Sequence, residues 1–384
     1  MACHNKNKSI INLLLNYNPD LNILNNVGDS PIDIIYNEKD IEILDLFLSS
    51  INFDINKINN KGYTLLTKAC LDNDIKIVSL LLTNKKININ KHDNHNNIPL
   101  VIAIMKDDIK MTELLLKNNA DVNIKNHRFE TPLFIACSLL KIDVINLLFE
   151  YCADINIQDK YGDSSLHLAC ENVMENIVEL LLSHNPDINI QNKYGNTPLH
   201  LACRYYSKAI FELLLSHNPG LNIQNTDGDT PLHKAIEYSN GKLRNGTSNN
   251  EIIELLLSKN PDLDIQNMDG YTPLHFASMD NNEKCIELLL AKNNCTIHIK
   301  NTDNETPVDI AIRNKNIKIK EIFDKYSNKK YLLYGRNKDH NSNLNKYLKY
   351  DSISERNRIL DDICFKKKYI IYKNKYLNLK NWSL

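Results

Sequence analysis

Four histidines, His167, His200, His233 and His275, recur at regular intervals along a chain of 384 residues that also holds nine cysteines. Imidazole and thiolate are the ligands of structural zinc, and either can serve in catalysis. The spacing speaks against both uses. A zinc site takes ligands in close pairs, and the chain has no Cys-x-x-Cys. The histidines stand 33, 33 and 42 residues apart, so each falls on a separate structural unit. Cys3, Cys70, Cys137, Cys170 and Cys203 fill one slot of a recurring helical pattern, where a small apolar side chain packs. Cys152, Cys285, Cys295 and Cys364 show no partner in sequence. A Gly-rich phosphate loop, a nucleophile elbow and a zincin helix are all missing from a chain with 10 glycines. The expectation is a protein that is not an enzyme, with no catalytic residue, metal, cofactor or small-molecule substrate. Its thiols read as reduced, as in the cytoplasm.

The elements that position these residues repeat. A short cap-and-helix motif begins at Ser30, Thr64, Ile98, Thr131, Ser164, Thr197, Thr230, Thr272 and Thr306, in steps of 34, 34, 33, 33, 33, 33, 42 and 34 residues. Three of its copies read Ser164-Ser165-Leu166-His167, Thr197-Pro198-Leu199-His200 and Thr230-Pro231-Leu232-His233. The Thr or Ser is an N-cap, Pro is preset for the first helical turn, and Leu and Ala face neighbouring helices. Leucine triples such as Leu180-Leu181-Leu182 mark a second helix. Asn185-Pro186 ends it, because Asn tolerates the left-handed conformation and Pro cannot continue a helix. Tyr194-Gly195 then turns the chain before the next cap. Each unit has one apolar face too many to stand alone, so the units must stack.

The period and the Thr-Pro-Leu-His tetrapeptide resemble the ankyrin repeat over about residues 2–326. The resemblance implies an all-α solenoid with short β-hairpin tips, and a histidine that makes structural hydrogen bonds along the stack. Gly at the tip is replaced by Asn96, Phe129 and Asn304, Ile98 lacks a capping hydroxyl, and Leu65 stands where Pro is expected. These departures should weaken single repeats without changing the fold. The array reads as 1–326, a partial first repeat followed by nine units. Ala2-Cys3 aligns with Ala169-Cys170, so the chain starts inside a repeat and leaves Ile10, Ile11 and Leu14 poorly hidden. An upstream start, a gene fragment or a frayed end would each account for it. The unit at Thr230 carries an insertion at about 239–250, read as a solvated loop.

The resemblance also implies the kind of work done: a scaffold or adaptor that binds another protein on the concave face made by tips and first helices. Carried over slot by slot, that face includes Tyr161, Tyr194, Arg204, Tyr205, Tyr238, Tyr271 and Met279. Tyr and Arg are the residue types that dominate interface energetics.

After Tyr326 the period stops. Residues 327–384 hold 14 Lys and Arg against 5 Asp and Glu, although the whole chain has a net charge of −1. Ser352-Ile353-Ser354-Glu355 is a capping box that predicts a helix over about 353–366. This basic segment reads as a helical cap with a solvated tail. A second reading recruits a ubiquitin-ligase subunit, as the F-box-like ends of poxvirus ankyrin proteins do, although the segment lacks their Leu-Pro start and has no Pro beyond Pro307. The third, least favoured, is nucleic-acid binding through clustered Lys and Tyr. No apolar run approaches the roughly 18 residues that span a bilayer, and no membrane insertion is expected. Heavy use of Asn, Ile, Lys and Leu reads as AT-biased coding, of the kind found in some viruses, intracellular bacteria and protists. A viral or bacterial-effector origin would put the protein in host cytoplasm or nucleus.

Overall fold

A computed structural model describes residues 3, 5–21, 23–50, 53–205, 207–237, 250–292 and 295–335, without the side chains of residues 205 and 328–335. The chain divides into two compact units, Met1–Lys193 and Tyr194–Leu384.

In the first unit, helix α1 (Lys8–Leu15) stands alone and five helix pairs follow. They are α2 (Pro31–Glu38) with α3 (Ile41–Leu48), α4 (Leu65–Leu71) with α5 (Ile75–Thr83), α6 (Pro99–Met105) with α7 (Ile109–Lys117), α8 (Pro132–Ser138) with α9 (Ile142–Glu150), and α10 (Ser165–Glu171) with α11 (Glu175–Leu182). The second unit holds α12 (Pro198–Tyr205) with α13 (Lys208–Ser216), α14 (Pro231–Glu237) with α15 (Asn250–Ser258), α16 (Pro273–Met279) with α17 (Glu283–Leu290), and α18 (Pro307–Arg313) with α19 (Ile317–Gly335). Within each unit the pairs stack in chain order, first helix on first helix and second on second.

The cap slots behave as their residue types require. Ser30, Thr64, Ser164, Thr272 and Thr306 each close a capping box with the residue three positions on, which is Asp33, Thr67, His167, His275 and Asp309 respectively. Ile98 makes no side-chain cap. Second helices have caps of their own in Asp40, Asp74 and Asp108, whose carboxylates accept from an amide of the first turn. Asn18, Asn119, Asn185, Asn218 and Asn260 are left-handed at the ends of second helices, with φ between 49° and 64°. The apolar slots form a continuous core: Leu66, Ala69, Cys70, Ile77, Val78 and Leu81 are fully buried. Each such Leu or Ile contributes roughly 1.5–3 kcal/mol, and Ala lets the helices approach.

Two details differ from expectation. Among the described residues no strand is assigned, so the tips are turns rather than two-stranded ladders. A single pair of backbone bonds closes each, as where Asp159 N–H donates to Asp163 O at 2.9 Å and Gly162 N–H to Asp159 O at 3.0 Å. The last helix, α19, runs to Gly335, past the boundary read at 326, because nothing in Ser327–Gly335 breaks a helix until the glycine. At the other end, α1 buries Ile11 and leaves Ile10 and Leu14 about half exposed. The inserted stretch before Asn250 and the helix expected at 353–366 lie outside the described residues.

Candidate protein-binding face

The tips are rigid because an Asn or Asp at the first position of each folds the loop around its own side chain. Asn225 Oδ1 accepts from Asp227 N–H at 3.0 Å and Asp229 N–H at 2.9 Å, and Asp159 and Asn267 do the same two and four residues on. At several of the Asn tips the side-chain amide reaches back to the preceding repeat. Asn192 Nδ2 donates to Asp163 at 2.8 Å, and Asn267 Nδ2 to Asp229 at 2.9 Å. Neighbouring tips are also bonded backbone to backbone: Lys193 N–H to Tyr161 O in the first unit, Thr226 N–H to Tyr194 O in the second, both at 3.0 Å. At Gly162 the approach leaves no room for a side chain. A Cβ on Gly162, at φ +81°, would sit 2.7 Å from Lys193 N. Asn96, Phe129 and Asn304 nevertheless hold the same left-handed conformation, φ 59°, 61° and 64°, as side-chain-bearing replacements for it.

The recurring histidines lie behind the tips. The amide of Thr197 donates to His200 Nδ1 at 3.1 Å. An amide can only donate, so Nδ1 is the acceptor and Nε2 carries the proton. Nε2 then donates to Asp229 O of the next repeat at 3.1 Å. His233 and His275 repeat this geometry toward Tyr271 O and Glu305 O. Both ring nitrogens are engaged, which leaves no lone pair for a metal and no proton acceptor for catalysis. Burial pushes all three down to about 4. The thiols have the opposite shift from the same cause: burial raises Cys70 and Cys137 to about 12 and Cys170, Cys203 and Cys285 further. Cys203 Sγ is a structural donor to Leu199 O and Pro231 O.

Of the predicted face, Tyr161 belongs to the first unit and the other residues to the second. Tyr161 is 49% exposed at its tip, with Lys160 Nζ 4.6 Å from the centre of its ring. Tyr194 is 58% exposed at the first tip of the second unit, and Arg204 is exposed in the last turn of α12. Met279 is exposed at the end of α16. Tyr271 is half-buried, its ring edge-on to those of His275 and Phe276 at 5.7 and 5.9 Å, so it packs as well as presenting surface. Tyr271 precedes the N-cap of α16 and Met279 is its last residue, so the two stand at opposite ends of the helix. Tyr205 ends α12 with its side chain outside the described residues, and Tyr238 lies wholly outside them.

Lys234 is a feature that the slot-by-slot reading passed over. It occupies the position held by Leu168 and Leu201 in the preceding repeats, and its ammonium pairs with Asp229 and Glu237, each at 2.9 Å. Burial alone would lower its pKa, but the bonds from Asp229 and Glu237 outweigh burial and hold the charge firmly. The signal was present as a charged residue in a slot that is apolar in every other repeat but that of Lys68. Among the described residues no group of His, Cys, Asp and Glu is arranged to hold a metal ion.

Known proteins share this architecture. The sequence model of ankyrin repeats (three copies) matches residues 32–126, 100–192, 173–245 and 242–331. Among solved structures, the ankyrin repeat domain of Bcl-3, a unique member of the IkappaB protein family, superposes with a TM-score of 0.53 at 23% identity. The match covers 59% of this chain and 98% of that one, and is a likeness of fold. No curated protein sequence matches the chain.

Proposed function

The chain belongs to the ankyrin-repeat family, and from that premise we propose that it is a non-catalytic scaffold whose tips and first helices bind another protein. The observation that carries this reading is the rigid display of exposed aromatic side chains. Tyr194 stands 58% exposed on a tip whose backbone carbonyl is bonded both to the amide and to the hydroxyl of Thr226. Contact area held in place before binding loses little entropy on association, and Tyr supplies it with two rotatable bonds. Arg204 adds directed donors on the adjoining first helix. Five of the described cysteines are fully buried as thiols, which suits a reducing compartment and supports reading the scaffold as cytoplasmic.

Affinity purification with the full chain and with residues 1–335 tests the reading. A defined protein recovered by both supports a repeat-borne scaffold, and its loss on Arg204→Ala ties it to this face. Recovery of a ubiquitin-ligase subunit by the full chain alone would make the scaffold a substrate receptor. Recovery of nothing but salt-sensitive nucleic acid would overturn it.

A further inference from the structure

In three of the nine loops that lead into a tip, a glutamine four residues before the tip glycine stitches two repeats together. Gln224 Nε2 donates to Gly228 O at 2.7 Å and to Gln266 O of the next repeat at 3.0 Å. Gln266 does the same toward Gly270 and Lys300, and Gln158 toward Gly162 and Gln191. At the same position in the first two tips of the first unit stand Leu24 and Ile58, four residues before Gly28 and Gly62. Neither can make the clamp. Together with Leu21, Phe53, Ile55 and Tyr63 they line a pocket of about 280 Å³ instead. Ile23, Leu24 and Val27 are 65%, 51% and 77% exposed, so apolar surface continues beyond its mouth.

The rim carries charge of both signs, with Asp54 and Lys57 both exposed. Asp33, in the pocket wall, is turned into the backbone of α2 and toward Asn59. Asp54 accepts from the amide of Asn56. Lys61 pairs with Asp29 and Lys68 with Asp72, whereas the ammonium of Lys57 has no ion-pair partner among the described residues. Further along the unit, the exposed tips carry Arg128, Lys160 and Lys193. The tips of this row are bonded in sequence, Lys160 N–H donating to Arg128 O and Lys193 N–H to Tyr161 O. The tips of the second unit carry Asp227, Asp269 and Asp303 instead.

We propose that the pocket seats one large apolar side chain, aromatic or leucyl, of a partner polypeptide whose flanking residues are acidic and lie along this cationic row. The proposal rests on reading the chain as a protein-binding scaffold and names the chemistry of what it binds. The cavity volume suits one such side chain, and the Lys57 ammonium is placed to receive a carboxylate beside it. An exposed aromatic anchor in a pocket with a charged rim is the arrangement in which few residues carry most of an interface's affinity.

The test uses the full chain and fluorescein-labelled synthetic peptides in an anisotropy titration: one Phe among glutamates, one Ala among glutamates, and one Phe among lysines. The Phe–Glu peptide should bind about tenfold or more tightly than either of the others. Ile58→Gln installs the residue that other repeats use at this position, so the fold should tolerate it, and circular dichroism checks that. It should cost about tenfold in affinity for the Phe–Glu peptide, and Lys57→Glu should cost several-fold and flatten the salt dependence. Equal binding of the Phe–Glu and Ala–Glu peptides, a preference for the lysine peptide, or unchanged affinity in Ile58→Gln would each overturn the proposal. If no peptide binds while a captured partner still depends on Arg204, the pocket assignment fails and the scaffold reading stands.

Discussion

His200 Nε2 donates to the carbonyl oxygen of Asp229, one repeat further on, across 3.1 Å. Nδ1 can accept from the Thr197 amide only while the imidazole is neutral. Protonation turns Nδ1 into a donor that faces another donor, in a site where His200 is 2% exposed.

This fixes the sign of a pH dependence. The unfolded chain takes up protons near 6.5, while folded His200, His233 and His275 resist until about 4. Their stabilising contribution is therefore complete above pH 6.5 and is lost as pH falls toward 4. At pH 5 each histidine should have given up on the order of 1–2 kcal/mol. Urea melts at pH 7 and pH 5, read beside the ring-proton resonances, check this. Titration of the three rings near 6.5 in the folded protein would refute it.

Thr197→Ala should cost about 1 kcal/mol, since it removes an N-cap hydroxyl that also lies 2.8 Å from His200 Nδ1. Leu199 is fully buried, and Leu199→Ala should cost about 2–5 kcal/mol by opening a cavity. Equal midpoint shifts in urea would mean that the cap and core roles are misassigned.

Phe129 holds φ 61° at a tip where most other repeats carry glycine, with its ring 55% exposed. A bulky residue in that conformation costs about 1–2 kcal/mol, and the exposed ring recovers little. Phe129→Gly should therefore stabilise the protein by about 1 kcal/mol, seen as a raised urea midpoint with an unchanged slope. A lower midpoint would show that the ring is held by packing.

Cys152 is exposed, whereas Cys70, Cys137, Cys170, Cys203 and Cys285 are sealed in helix-facing slots. A thiol reagent should label Cys152 in the native protein within minutes and reach those five only on unfolding. Peptide mapping after brief labelling distinguishes the two groups, and early label on Cys170 would contradict the packing.

Much of this was legible in the residues. Thr and Ser at fixed steps, followed by Pro and Leu, mark helix starts that the structure places at Pro198, Pro231 and Pro273. The left-handed Asn residues after second helices were equally readable, because few other side chains tolerate that conformation. Phe129 and Cys152 show the limit: each is left-handed against its type, because the neighbouring repeats dictate the backbone. The clamps of Asn192, Asn267 and Gln224 were harder to see. A repeated polar residue in a loop reads as solvated until the next repeat supplies its carbonyl or carboxylate. Tyr271 was read as surface and is half-buried, since its ring finds His275 and Phe276 within its own repeat.

The central claim, that the tips and first helices of the second unit are a protein-binding face, is tested most directly by titration calorimetry with the captured partner. Tyr194→Ala and Arg204→Ala should each weaken binding by about 1 kcal/mol or more, with unchanged far-ultraviolet circular dichroism. Changing Asn245, in the inserted stretch, should leave the affinity as it is. If the Asn245 change abolishes binding while Tyr194→Ala and Arg204→Ala do nothing, the partner does not use this face, and the claim is wrong.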